Sequence, residues 1–237
     1  MCHLLIFDVD GTLCDTSAVD AEATAVEILG APVGVPDWGE FPSVTDWGIV
    51  DALWRRYLGR APTASEVKAF AGVFLGKLQA ALTESPERFR AIAGAEALLG
   101  YMMDTGVRFA FATGGWSRSA RLKLRGAGLP VERLLASADD SPHRTEIFRL
   151  AQERALSSLA SASWGEPLNA ARDKRGRTPT RTVLIGDGTW DVQVAAELGW
   201  AFIGIGQGQR EAELTAAGAE VVVPDCSDLE RSTVALC

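Results

Sequence analysis

Asp8 and Asp10 stand one residue apart at the end of the apolar run Leu4-Leu5-Ile6-Phe7, with Gly11-Thr12 immediately after. A run rich in Leu, Ile and Phe and closed by Gly reads as a buried parallel strand. Side chains alternate along a strand, so both carboxylates are expected to leave the same face where it ends. Two acids held together near a core repel each other and are costly to desolvate. A hard divalent cation such as Mg2+ neutralises the pair and still leaves room for a phosphate. The competing reading is that the two aspartates cap the turn before a helix.

Two later stretches have matching chemistry. Thr113-Gly114-Gly115 offers a hydroxyl donor and exposed backbone N–H groups, which suit a phosphate where a helix begins. Gly186-Asp187-Gly188-Thr189-Trp190-Asp191 adds two carboxylates, Asp187 and Asp191. Four acids around an anion require positive charge. A metal ion supplies part of it, and Arg144 is the candidate for the rest. Lys123 and Arg121, on the helix after Thr113, are the substitutes, with a solvated helix face as their ordinary reading.

The elements that must position these groups follow from periodicity. Strands are expected at Val107–Ala112, Leu134–Ala136, Thr182–Ile185, Trp200–Ile205 and Glu220–Val223. Helices are expected at Ala95–Asp104, Ser117–Gly126, Arg144–Leu156, after Gly188 to Leu198, and at Gln209–Ala217, with residues 157–181 as loop. Such alternation implies α/β architecture: an open parallel sheet with helices on both faces. Ligands in such sheets bind beyond the carboxyl ends of the strands, where all three polar stretches are expected to meet. Between Asp15 and Arg90 the pattern is different. Ala18–Leu29, Val44–Tyr57 and Ala64–Leu82 carry helical spacing, with a turn-rich connector at Gly34–Gly39. The stretch is too long for a simple crossover. The expected organisation is an α/β core of residues 1–15 and 90–237 and an inserted all-helical cap of residues 16–89.

Composition narrows the function. A formal charge of -8 and a pI near 4.9 speak against nucleic acid as a partner. No apolar run approaches the roughly 20 residues that span a bilayer, and the N-terminus does not read as a signal peptide. Cys2, Cys14, Cys226 and Cys237 show no disulfide or metal-ligand rhythm, and with only His3 and His143 a His-based zinc site is not expected. A cytoplasmic protein with reduced thiols is the default.

Taken in order, the motifs resemble the haloacid dehalogenase superfamily of phosphotransferases, in particular its phosphoglycolate-phosphatase-like branch with a helical cap. Asp8-Val9-Asp10-Gly11-Thr12 looks like the first motif, Thr113 the second, Arg144 the third and Gly186 to Asp191 the fourth; Thr45-Asp46 with Ile49 resembles the cap segment. The resemblance implies that Asp8 is a nucleophile forming an aspartyl-phosphate and Asp10 a general acid and base. It further implies Mg2+ held by Asp8, Asp187 and the backbone carbonyl of Asp10, with Asp191 a ligand or the partner behind one. Gly11, Thr113, Gly114 and Arg144 would contact the phosphate. One position departs from the family: the third motif is commonly Lys, whereas here it is Arg144, a planar fork rather than a point charge.

Other features have ordinary readings. Gly204-Ile205-Gly206-Gln207-Gly208 lacks dinucleotide-binding spacing and reads as a tight turn. Trp38, Trp47, Trp54 and Trp116 are packing residues by default, with Trp116 the candidate wall of a substrate pocket. Lys68 and Lys77 read as exposed helix positions. The expected function is Mg2+-dependent hydrolysis of a small phosphomonoester by a monomer or homodimer. A phosphomutase, or a silent phosphate-binding regulator, is the alternative.

Overall fold

Strand β1 (His3–Phe7) lies at the centre of a six-stranded parallel sheet of order β5-β4-β1-β6-β7-β8. The other strands are β4 (Arg108–Ala112), β5 (Leu134–Ala136), β6 (Arg181–Gly186), β7 (Ala201–Ile205) and β8 (Val222–Val223). The computed structural model describes residues 3–15, 27–29, 43–161 and 181–229. Most of the expected helix Ala18–Leu29, the connector Gly34–Gly39 and residues 162–180 lie outside the described residues.

Strand alternation distributes the core. Leu5 and Phe7, with Phe109, Phe111, Val183 and Ile185, bury one sheet face. Helices α3 (Ala95–Thr105) and α4 (Ser117–Gly126) cover it through Leu98, Leu99, Met102, Ala120 and Leu124. Leu4, Ile6, Ala110, Ala112 and Leu184 face the other way, against Ile147, Phe148 and Ala151 of α5 (Arg144–Ser161) and Val194 and Ala195 of α6 (Thr189–Leu198). Helix α7 (Gln209–Ala216) packs Leu214 beside β8. The sheet is wound on both faces, as periodicity implies. Helix α5 continues to Ser161 rather than ending at Leu156. Neither Gly nor Pro interrupts the chain before Gly165.

Between β1 and β4 the chain departs from simple α/β alternation. A two-stranded antiparallel ribbon joins β2 (Cys14–Asp15) to β3 (Arg90–Ala91). Beyond it stand α1 (Asp46–Leu58) and α2 (Ala64–Glu84). Thr45 caps α1 by accepting from Gly48 N–H, and Gly59 ends it in the left-handed region. Thr63 and Glu66 form a capping box on α2. The pair buries its own cluster, including Ile49, Leu53, Trp54, Phe70, Phe74 and Leu78.

Parallel register brings the polar stretches together. Phe7 pairs with Phe111 on one side and Ile185 on the other, so β1, β4 and β6 end abreast. The chain winds from β1 to β4 and β5 on one side, then returns to β6 on the other. Asp8, Thr113 and Asp187 each follow directly the last residue of a strand at this switch point.

Candidate active site

Asp8 is buried immediately beyond β1, and its N–H donates to Ile185 O at 2.9 Å. The next residues form a tight turn in which the N–H groups of Leu13 and Cys14 both donate to Val9 O. Because β1 stops at Phe7, this turn, rather than strand alternation, sets the direction of Asp10. Gly11 has φ 77°, and a Cβ there would lie 2.2 Å from Asp187 Oδ2. The position therefore demands glycine for both conformation and space. Thr12 Oγ1 donates to Asp187 Oδ1 at 3.3 Å.

The Asp8, Asp187 and Asp191 carboxylates each offer an oxygen within 4.8 Å of the others. Burial raises Asp8 well above the usual carboxylate range, and the neighbouring acids add to this while Arg144 opposes it. Asp187 is pushed up to about 7, first by burial and then by Asp191, against the pull of Arg210 and Arg144. Arg210, from the first turn of α7, donates to Asp187 O at 3.1 Å. Burial and crowding together make this a strongly anion-averse site that holds acids.

Arg144, the first residue of α5, is the buried cation among them. Its Nη2 lies 2.9 Å from Asp8 Oδ1 and 2.8 Å from Asp191 Oδ1. Its Nε donates to Asp191 Oδ1 at 2.9 Å, and its Nη1 donates to Val44 O at 2.9 Å. The Asp8 contact is an ion pair without hydrogen-bond alignment, leaving Asp8 Oδ1 buried with no donor directed at it. Asp191 is fully enclosed: Arg144 takes Oδ1 and the Gly188 N–H donates to Oδ2 at 3.2 Å. A forked guanidinium reaches three groups in different directions, which one ammonium could not.

Thr113 is buried, and its hydroxyl oxygen accepts from Gly115 N–H at 3.0 Å, leaving its own O–H proton to donate elsewhere. At Gly114 a Cβ would lie 2.5 Å from both Arg144 Nη1 and Val44 O. This loop carries the contact with the helical pair. Asp46 N–H donates to Gly114 O at 2.7 Å, and Trp116 N–H donates to Asp46 Oδ2 at 2.8 Å. Thr45 and Ser43 hydroxyls both donate to Pro142 O. Trp116 packs on Phe70 and Phe74 inside the cluster of the helical pair, so packing is its role in the fold.

Lys123 corrects its sequence reading. It is not on a solvated face: its side chain is 12% exposed, and Nζ donates to Asp10 Oδ1 at 2.6 Å. Arg121 is likewise engaged, donating to Val131 O and Leu134 O. Helical spacing holds the missed signal, since Lys123 lies three and four positions from buried Ala120 and Ser119. Asp46, in the sequence only part of a segment that resembles the family's cap, stands at the loop after Thr113, where its Oδ2 accepts from Trp116 N–H. Burial pushes it up to about 6, against the opposing pull of Lys123 and the Trp116 hydrogen bond. His143 is exposed, and Lys77 pairs with Glu27.

The donor set fits a hard divalent cation. Asp8 Oδ1 is a buried carboxylate oxygen without a hydrogen bond, and Asp187 brings an oxygen beside it. The Asp10 carboxylate is not among the three clustered acids but is turned to Lys123, which leaves its backbone carbonyl as the group it could offer a metal.

Known proteins similar to this chain share its fold and family. The chain is 26% identical over 203 residues to the phosphoserine phosphatase of Halobacterium salinarum (strain ATCC 29341 / DSM 671 / R1), covering 84% of this chain and 83% of that one. A hydrolase from Pseudomonas syringae shares the fold with a TM-score of 0.68 at 22% identity, covering 99% of both chains. A CbbY variant from Rhodobacter sphaeroides in complex with xylulose-(1,5)bisphosphate does so with a TM-score of 0.69 at 20% identity, covering 97% of this chain and 96% of that one. Residues 2–199 match the family described as haloacid dehalogenase-like hydrolase. With that match spanning most of its length, the chain belongs to the haloacid dehalogenase-like hydrolase family.

Proposed function

We propose that the protein is a Mg2+-dependent phosphatase acting on a small phosphomonoester, with residues 16–89 serving as a helical cap over a core of residues 1–15 and 90–237. The observation that carries this reading is the buried Asp8 carboxylate, flanked by Asp187 and Arg144 and carrying an oxygen with no hydrogen-bond donor. Phosphoryl transfer is largely positioning and charge stabilisation, and these residues are arranged for both.

Asp8 attacks phosphorus, forming an Asp8 O–P bond as the ester P–O bond breaks. Asp10 gives its carboxyl proton to the departing alcohol oxygen, then takes a proton from the water that cleaves the Asp8 O–P bond. Thr113 Oγ1 and the N–H of Gly114 hold phosphoryl oxygens, with Gly11 allowing close approach. Arg144 balances charge between Asp8 and the phosphate. Asp8, Asp187 and the Asp10 carbonyl would hold Mg2+, while Asp191 orients Arg144 behind them. When bound, the ion would offset charge on the phosphoryl oxygens.

The side of the helical pair that meets the phosphate loop presents an acid, Asp46. Arg55 and Arg60 of the pair are held by Asp51 and Glu66, and Lys77 by Glu27. An acid in that place disfavours a second phosphate, which supports hydrolysis of a monoester over a phosphomutase cycle. Buried free thiols at Cys14 and Cys226 suit a reducing cytoplasmic setting. No helix among the described residues is long and apolar enough to cross a membrane.

The test is release of p-nitrophenol from p-nitrophenyl phosphate with and without Mg2+, followed by a panel of phosphorylated metabolites. Activity that needs Mg2+ and disappears in Asp8→Asn is expected. Full activity in Asp8→Asn removes the proposal.

A further inference from the structure

The geometry points to Lys123 as a positioning residue that fixes which oxygen of Asp10 faces the phosphate loop. This rests on the phosphatase reading above. Lys123 rises from α4 with its side chain 12% exposed, and its Nζ donates to Asp10 Oδ1 at 2.6 Å. The other oxygen, Asp10 Oδ2, lies 3.5 Å from where a Cβ on Gly115 would stand, against the loop that begins at Thr113. An unclamped carboxylate can rotate and exchange its two oxygens. With Oδ1 held, Oδ2 alone is presented toward the transferring group. Oδ2 therefore carries the proton to the leaving oxygen and receives one from water, while Lys123 keeps its own proton throughout.

A buried ammonium needs partners from more than one direction. Asp10 supplies one partner, and a second acid stands close by: Asp46 Oδ2 lies 3.6 Å from the same Gly115 Cβ position as Asp10 Oδ2. Asp10 belongs to the turn after β1, whereas Asp46 opens α1. Phe74 of α2 lies 5.9 Å from Nζ, on the face of its ring. The enclosure of Lys123 thus requires the helical pair to be seated on the loop. Seating the pair and clamping Asp10 are one packing event.

Leaving-group dependence separates this role from a structural one. A p-nitrophenolate departs with little protonation, whereas an alkoxide needs the proton from Asp10. Lys123→Met is expected to lower kcat on glycerol phosphate by on the order of 10²-fold and on p-nitrophenyl phosphate by less than about tenfold. Lys123→Arg should recover much of the alkyl-ester rate, and in an Asp10→Asn background Lys123→Met should add little. Equal losses on both esters, or a change in KM alone, overturn the inference while leaving the phosphatase reading intact. Failure of the wild-type protein to hydrolyse either ester removes the phosphatase reading instead. A crystal structure of Lys123→Met tests the clamp without turnover: a rotated or split Asp10 carboxylate is expected, and an unmoved one overturns it.

Discussion

Arg144 and Asp8 are separated by 2.9 Å between Nη2 and Oδ1, and the same nitrogen lies 2.8 Å from Asp191 Oδ1. One buried cation is thus shared by two buried acids. Removing it would leave both acids uncompensated. Arg144→Met should therefore cost about 3–5 kcal/mol of stability, read by urea denaturation without metal. Arg144→Lys restores charge but cannot reach Asp8, Asp191 and Val44 O together. It should recover part of that stability and still lower kcat roughly 10- to 100-fold.

Gly11 offers a test confined to backbone and space. With φ 77° and Asp187 Oδ2 2.2 Å from the position of a Cβ, Gly11→Ala meets both strain and a carboxylate. A loss of about 1–3 kcal/mol is expected. Gly128→Ala is the control, since φ is 73° and nothing lies within 4 Å of its Cβ position. It should cost only the strain, about 1 kcal/mol. The Gly11 substitution alone should also weaken Mg2+-induced stabilisation, because it displaces Asp187.

Proton release should accompany metal binding. Burial and Asp191 hold Asp187 at about 7, and burial with neighbouring acids raises Asp8. A metal takes the deprotonated carboxylates, so its apparent affinity must rise as pH passes through about 7, where Asp187 loses its proton. The increase in Tm produced by Mg2+ should be small at pH 6 and larger at pH 8. A metal effect independent of pH over that interval would contradict the raised values.

Much of this site was legible because register in a parallel sheet is set by hydrophobic pattern. Asp8, Thr113 and Asp187 each follow a strand whose apolar run is continuous, so their convergence could be read from strand ends. Arg144 was legible as a cation following β5, though not its reach to Val44 O, which depends on how a separate helical pair is seated. Lys123 is misread, and the burial of Asp46 has no sequence signal, for a related reason. A charged residue on an amphipathic helix usually faces water, and here a half-buried acid from a distant turn reverses that. The partner of Lys123 is 113 positions away. The ribbon Cys14–Asp15 with Arg90–Ala91 escaped because two residues are too few to show a period.

Asp46 links pH to the seating of the helical pair. Its folded-state value of about 6 stands above the ordinary 3.8, with burial the largest cause. An acid raised on folding contributes stability at low pH that falls away as pH climbs from about 4 through about 6. Asp46→Asn removes that dependence while its amide oxygen can still accept from the Trp116 N–H. The variant should match the wild type near pH 4 and exceed it at pH 7.5 by on the order of 1–3 kcal/mol, measured as urea midpoints in metal-free buffer. Asp46→Ala serves as the contrast: it removes the same charge but leaves the Trp116 N–H without its acceptor, so its gain should be smaller by about 1 kcal/mol. If Asp46→Asn is instead less stable than the wild type at pH 7.5, the attraction of Lys123 outweighs burial, and Asp46 holds the pair in place as a charged group.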